Sequence, residues 1–209
     1  HRILLAANIK AGMISTVNAV IGDEVLDTGF HVTTPDAHDV QRYLAKMVDA
    51  GLTHVVLETT SHGWAQFRVD ACEFDIGVVT NITHEHMNEH GSYENYRTAK
   101  ARLFSSLERT VAKTQGNPRL GIINREDPKS FDFLNDFIKV NTPSGIQFAV
   151  QNKEQRVVIR SKLVGAYNVS NCLAAYCVTV YGLGISPEIA ALGISALVGI
   201  PGRMERIDM

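Results

Sequence analysis

Apolar positions along the chain fall into short continuous runs separated by longer amphipathic stretches. Residues 54–57 (His-Val-Val-Leu) and 76–80 (Ile-Gly-Val-Val-Thr) carry apolar side chains on consecutive positions. That is the pattern of a strand covered by helices on both faces of a parallel sheet. Residues 12–16, 19–26 and 120–123 read as further strands, the second of them ending at Asp27-Thr28-Gly29. Between the strands the period lengthens. After Thr33-Thr34-Pro35, the residues Ala37, Val40, Leu44, Met47 and Val48 fall on one helical face. Pro35 suits the first turn of that helix and Gly51 its C-terminal cap. Residues 93–107, 128–137, 168–181 and 187–197 predict four more helices, and residues 1–8 the tail of another. Residues 147–150 and 156–161 are candidate short strands. Strands alternating with helices predict an α/β fold: a doubly wound, mostly parallel sheet with helices on both faces, plus a small β-rich subsheet. Ligands of such sheets sit at the carboxyl ends of the strands.

The polar clusters lie at those ends. Glu58-Thr59-Thr60-Ser61-His62-Gly63 follows the first apolar strand directly. A carboxylate there suits a metal ion, and hydroxyls at a helix start suit an anion. Equally, Thr60 or Ser61 can simply cap the next helix. Asn81-Ile82-Thr83-His84-Glu85-His86 follows the second strand, with His90 close behind. Three histidines and a glutamate in one strand-end loop point to a metal or phosphate site, although one histidine alone would not. On the helix that follows, Tyr93, Tyr96, Lys100 and Phe104 share a face, where a lysine ordinarily snorkels past aromatic rings. Asn168 and Asn171 open a later helix as ordinary caps would, and Arg203 sits in a glycine-flanked loop suited to a phosphate, a base or solvent.

Charge and composition narrow the classes. A net charge of −2 excludes the general electrostatic grip of a nucleic-acid binder. The longest apolar runs are strand-sized, which excludes a bilayer span, and no signal peptide opens the chain. Cys72, Cys172 and Cys177 are an odd number without metal-knuckle spacing. Cys172 and Cys177 read as small core residues of a helix, which fits a reducing cytoplasm.

In this order, the motifs resemble the Mur ligase family over nearly the whole chain. The matching segments are Thr33-Thr34-Pro35-Asp36, Glu58-Thr-Thr-Ser-His-Gly with Gln66 and Arg68, and Thr80-Asn81-Ile82 running to His86. They continue through Tyr96-Arg-Thr-Ala-Lys100, Asn124-Arg-Glu-Asp127-Pro128, Gly165-Ala-Tyr-Asn168-Val-Ser-Asn171 and Gly202-Arg203-Met204-Glu205. The nearest branch adds the third amino acid to UDP-N-acetylmuramoyl-L-alanyl-D-glutamate in cell-wall synthesis. The resemblance implies a P-loop-NTPase-like central domain and an ATP- and magnesium-dependent amide ligase working through an acyl phosphate. It implies that Glu58 and His86 ligate magnesium ions and that Lys100 is carbamylated near the second one. It implies nucleotide contacts from Asn168, Asn171 and Arg203, with Asn124 and Asp127 as further candidates. Contacts to the UDP-muramoyl-peptide would come from Thr33, Thr34, Thr60, Ser61, Gln66 and Arg68.

Departures from the family pattern carry their own expectations. No glycine-rich loop ending in Lys-[Ser/Thr] occurs in the chain. In the family that loop lies just upstream of the helix tail at residues 1–8, and the domain holding the incoming amino acid follows Glu205. Residues 1–209 are therefore expected to be a central ATP-binding domain, inactive alone. Glu85 and Asn88 stand where aspartates are expected, and residues 142–163 are short for the family's subsheet. Two other classes are weighed. His84-Glu85-His86 with a modified lysine superficially fits a metal-dependent amidohydrolase, but such (β/α)₈ barrels run to about 250 residues. A non-catalytic Mur-like scaffold would have no use for Glu58, His86 and Lys100 together.

Overall fold

The structure is a computed structural model that describes residues 1–28, 33–80, 90–114, 116, 118–123, 138–142, 145–151 and 156–200. The chain divides into two compact units. One holds His1 and Ile9–Gly121, and the other holds Arg2–Asn8 and the described residues from Ile122 onward.

In the first unit, β1 (Ala11–Ile14), β2 (Asn18–Ile21), β3 (Glu24–Asp27) and β4 (His54–Leu57) form one sheet in the order β3-β2-β1-β4. β1 and β4 are parallel, from Ala11 opposite His54 to Ile14 opposite Leu57, while the other pairs are antiparallel. Residues 19–26, expected as one strand, are instead a hairpin closed by the pair Ile21–Glu24. Gly22 turns it at φ +62°, a left-handed conformation that glycine adopts without steric cost.

Helix α2 (Ala37–Asp49) crosses this sheet. Its cap residue is Asp36 in extended conformation, so Pro35 stands one residue ahead of the cap and not in the first turn. The far end closes as a Schellman motif. Gly51 N–H donates to the Val48 carbonyl (2.9 Å) and Leu52 N–H to the Met47 carbonyl (2.9 Å), with Gly51 at φ +69°. The buried stripe is Val40, Tyr43 and Met47, whereas Val48 is 72% exposed. The apolar face is thus rotated from the expected one, because Tyr43 closes over Ile14, Ala19 and Ile21. β4 also departs from expectation. Val55 and Val56 are 42% and 39% exposed, because β4 stands at the end of the described strand order.

Helix α3 (Ser61–Ala65), β5 (Ile76–Val79) and α4 (Tyr93–Arg109) complete the unit, with β6 (Leu120–Ile123) pairing with β5. Trp64, Val69, Val79 and Leu103 form their core, with Leu57, Phe74 and Phe104 packed against it. Ser92 caps α4 by accepting the Asn95 N–H (3.1 Å).

In the second unit, β7 (Ile138–Thr142), β8 (Gly145–Gln151) and β9 (Arg156–Ser161) form an antiparallel three-stranded sheet, the expected β-rich subsheet. Helix α5 (Tyr167–Cys177) continues into a π-helical turn at Val178–Gly182. Helix α6 (Pro187–Ser195) packs on α1 (Arg2–Ala6) at Gly193, where a Cβ would lie 2.5 Å from the Ile3 Cα. The helix expected at residues 128–137 lies outside the described residues. Among those described, the strands form three open sheets and no closed barrel. No described helix is long and apolar enough to cross a membrane.

Candidate functional site

The parallel pairing of β1 with β4 brings two strand ends side by side. Glu58, the first residue beyond β4, donates its N–H to the Ile14 carbonyl (2.9 Å). Its Oε2 accepts both the Thr16 N–H (3.0 Å) and the Thr16 hydroxyl (3.1 Å). The turn that presents Thr16 is fixed in turn. Ser15 Oγ accepts from the N–H groups of Val17 and Asn18, and the Thr28 hydroxyl donates to the carbonyls of Ser15 and Thr16. Glu58 is exposed, and among the described residues its Oε1 has no partner. Thr16 carries no signal of this role in the sequence. Its contact is set by the strand register, which no local motif announces.

A second set of contacts ties the Thr33-Thr34-Pro35 segment to the segment after β4. Thr60 caps α3, its hydroxyl accepting the Gly63 N–H (3.0 Å), as the capping reading anticipated. Thr34 is fully buried. Its hydroxyl accepts the Thr60 N–H (3.0 Å) and lies 3.2 Å from the Thr60 hydroxyl. Arg68 donates to the Thr34 carbonyl (2.6 Å) and lies 3.9 Å from the Asp36 carboxylate. Gly63 is required here, since a Cβ would sit 2.8 Å from the Thr34 Oγ1. Thr33 is half-buried in the same segment, and Gln66, at the end of α3, is exposed.

The third set joins α3 to α4. The His90 Nε2 lies 3.0 Å from the Ser61 Oγ, and its ring meets Tyr96 edge-on at 5.4 Å. The Lys100 Nζ stands 4.7 Å from the Tyr96 ring centroid, so this pair of the expected face meets. Arg102 donates to the Trp64 carbonyl (3.0 Å) and lies over the Phe67 ring.

In the second unit, the Asn168 side-chain N–H donates to the Val164 carbonyl (2.8 Å), and its Oδ1 accepts from the Asn171 amide (3.0 Å). Neither caps α5, because Ala166 holds the cap position without a side-chain bond. Their amides are instead linked in a pair, with Asn171 at the surface.

The structure thus gathers Thr34, Thr60, Ser61 and Arg68 around α3 and places Glu58 at the strand end before them. His84, Glu85, His86, Asn88, Asn124, Asp127 and Arg203 lie outside the described residues. Among those described, no three His, Cys, Asp or Glu side chains are grouped to hold a metal.

Comparison with known proteins identifies the family. The family model for the Mur ligase middle domain matches residues 1–179. The UDP-N-acetylmuramoyl-L-alanyl-D-glutamate–2,6-diaminopimelate ligase of Geobacter metallireducens is 33% identical over 99% of this chain and 43% of its own length. The ligase of the same name from Gloeobacter violaceus is 38% identical over 98% of this chain and 43% of its own length. The chain therefore spans about two-fifths of the curated relatives it matches. A solved structure of a ligase with that name superposes over 96% of this chain and 43% of its own, with a TM-score of 0.74 at 24% identity. A D-alanyl-D-alanyl-adding ligase from Acinetobacter baumannii covers 100% of this chain and 44% of its own, with a TM-score of 0.63 at 16% identity. These likenesses show the same fold. On the match of the family model, the chain belongs to the Mur ligase family, as its middle domain.

Proposed function

We propose that this domain is the central, nucleotide-binding part of a longer ATP-dependent amide ligase that extends UDP-N-acetylmuramoyl-L-alanyl-D-glutamate by one amino acid. The observation that carries the reading is the joined Thr34–Thr60–Arg68 segment, with Glu58 held by Thr16 at the strand end beside it. It occurs in a chain 33% to 38% identical to ligases named for that substrate.

The chemistry asks for an anion-binding surface and a cation. A substrate carboxylate oxygen attacks the γ-phosphorus of ATP, the bond to ADP breaks, and an acyl phosphate forms. The amine of the incoming amino acid then attacks the acyl carbon, phosphate leaves, and the amine loses its proton. Arg68 and the hydroxyls of Thr33, Thr60 and Ser61 bind and orient the UDP-muramoyl-peptide, with Gln66 at the rim. Thr34, being buried, acts through Thr60. Asn168 and Asn171 contact the nucleotide, together with Asn124, Asp127 and Arg203.

The residues fit magnesium unequally. The Glu58 Oε1 is a suitable hard oxygen ligand. An ammonium at Lys100 would repel a cation, so Lys100 fits only as a carbamate, which carries negative charge on oxygen; His86 would stand with it. Magnesium bound there would neutralise charge gathering on the phosphate and carboxylate oxygens. Uptake of isotope-labelled bicarbonate by the protein, abolished by Lys100→Arg, tests that modification. The precursor and ATP place the reaction in the cytoplasm, which suits the three free cysteines.

The test restores the segments that flank this domain in its relatives and measures phosphate release from ATP. Release that needs both the UDP-muramoyl-dipeptide and an amino acid, with diaminopimelate and lysine offered separately, is the expected result. A folded, ATP-binding protein that releases none with either would overturn the reading.

A further inference from the structure

His90 is one of three histidines clustered after the second apolar strand, and the proposed chemistry gives it no role. In the structure its ring stands edge-on to that of His62, 6.4 Å away, and further contacts hold it. Its carbonyl accepts from the Asn95 side-chain amide (3.0 Å). Its ring leans edge-on against Tyr96, which is itself only 2% exposed. Its Nε2 lies 3.0 Å from the hydroxyl oxygen of Ser61, the first residue of α3, which is 7% exposed. Packing alone would not require a polar atom at that point of the ring.

A serine hydroxyl has one proton to give and can accept two hydrogen bonds. Its partner therefore decides what it can offer a ligand. If Nε2 accepts, the Ser61 proton is spent inside the protein. If Nε2–H donates, that proton is left for an oxygen of the ligand. The UDP-muramoyl-dipeptide presents carboxylate and phosphate oxygens, which accept and never donate when ionised.

We infer that His90 is a positioning residue: as the Nε2–H tautomer it donates to the Ser61 Oγ and so aims the Ser61 hydroxyl proton at an anionic oxygen of the substrate. This rests on the assignment of Ser61 to the substrate surface. His90 touches the substrate only through Ser61, and it ties α3 to the helix that carries Lys100.

The experiment uses the 209-residue chain for the first readout and the ligase with its flanking segments restored for the second. Nitrogen-resolved NMR of the histidine rings, without ligand, reports the tautomer; Ser61→Ala should shift the His90 Nε2 signal, whereas Ser105→Ala should not. Binding of UDP-N-acetylmuramoyl-L-alanyl-D-glutamate is then followed by titration calorimetry. His90→Phe keeps the ring packing but leaves the Ser61 hydroxyl unaimed, and should weaken binding about tenfold, the scale of one hydrogen bond. His90→Gln offers an N–H near the same point and should restore most of the affinity. Equal binding by wild type and His90→Phe, or a His90 protonated only on Nδ1, would overturn the inference while leaving the substrate reading intact. No binding by the wild-type ligase with its flanking segments restored would overturn the substrate reading and this inference with it.

Discussion

Replacing Gly63 by alanine sets two opposing effects against each other. Within a helix, alanine is favoured over glycine by about 1 kcal/mol, so an open site would gain stability. Gly63 is not an open site. The new Cβ would meet the Thr34 Oγ1 at 2.8 Å, its Cβ at 2.9 Å and its Cγ2 at 3.0 Å. Thr34 has little room to yield, because it is fully buried and its hydroxyl holds the Thr60 N–H. Its carbonyl also receives Arg68. Forcing a methyl into such packing costs about 1–3 kcal/mol, and α3 has only five residues over which to spread any helical gain. The clash should win by about 1 kcal/mol or slightly more, lowering the melting midpoint by about 2–4 °C for a chain of this size. Trp64 is the next residue and only 2% exposed, so urea unfolding followed by its fluorescence reads the change locally. Affinity for the UDP-muramoyl-dipeptide should fall as well. A midpoint unchanged or raised would refute the claim that Thr34 and α3 are locked together.

Other perturbations test other contacts. Thr16→Val removes one of the two bonds that orient Glu58, and in the ligase with its flanking segments restored it should raise the magnesium concentration for half-maximal activity about 10–100-fold; an unchanged magnesium titration would contradict the contact. Lys113 lies 2.7 Å from the Asp75 carboxylate and donates to the Glu73 carbonyl, while the Asp75 Oδ1 is buried without a partner. Lys113→Met should therefore destabilise the chain by about 1–2 kcal/mol in urea titration, since both side chains are about two-thirds buried. Burial pushes the Cys172 thiol up to about 11, a nearby Ser161 hydrogen bond offsetting part of that rise. At pH 8 roughly one molecule in a thousand carries the thiolate, so Cys172 should alkylate only on unfolding; rapid native labelling, located by peptide mass analysis, would contradict this.

What the sequence made legible follows from the range of the interactions involved. Gly51 announced its cap because a Schellman motif is built from residues adjacent in the chain. The Gly22-Asp23 turn is equally local, but the β-prone residues on both sides of it read as one long strand. The α2 face departs from the periodic expectation because Tyr43 is amphipathic and its burial depends on the sheet beneath it. Glu58 was placed at a strand end by its neighbours alone, but its partner Thr16 is 42 residues away and is found only through the β1–β4 register. Asn168 and Asn171 suggested caps from composition, yet their amides bond to Val164 and to each other. The motif order carried the family, which no single contact could have done.

In the proposed ligase reaction the substrate carboxylate is activated by transfer of the γ-phosphoryl group. The most direct measurement labels the oxygens of that carboxylate with a heavy isotope and follows them through one turnover of the ligase with its flanking segments restored. An acyl phosphate predicts one labelled oxygen in the released inorganic phosphate for each amide formed. Amide product with unlabelled phosphate, or label appearing in AMP, would contradict it.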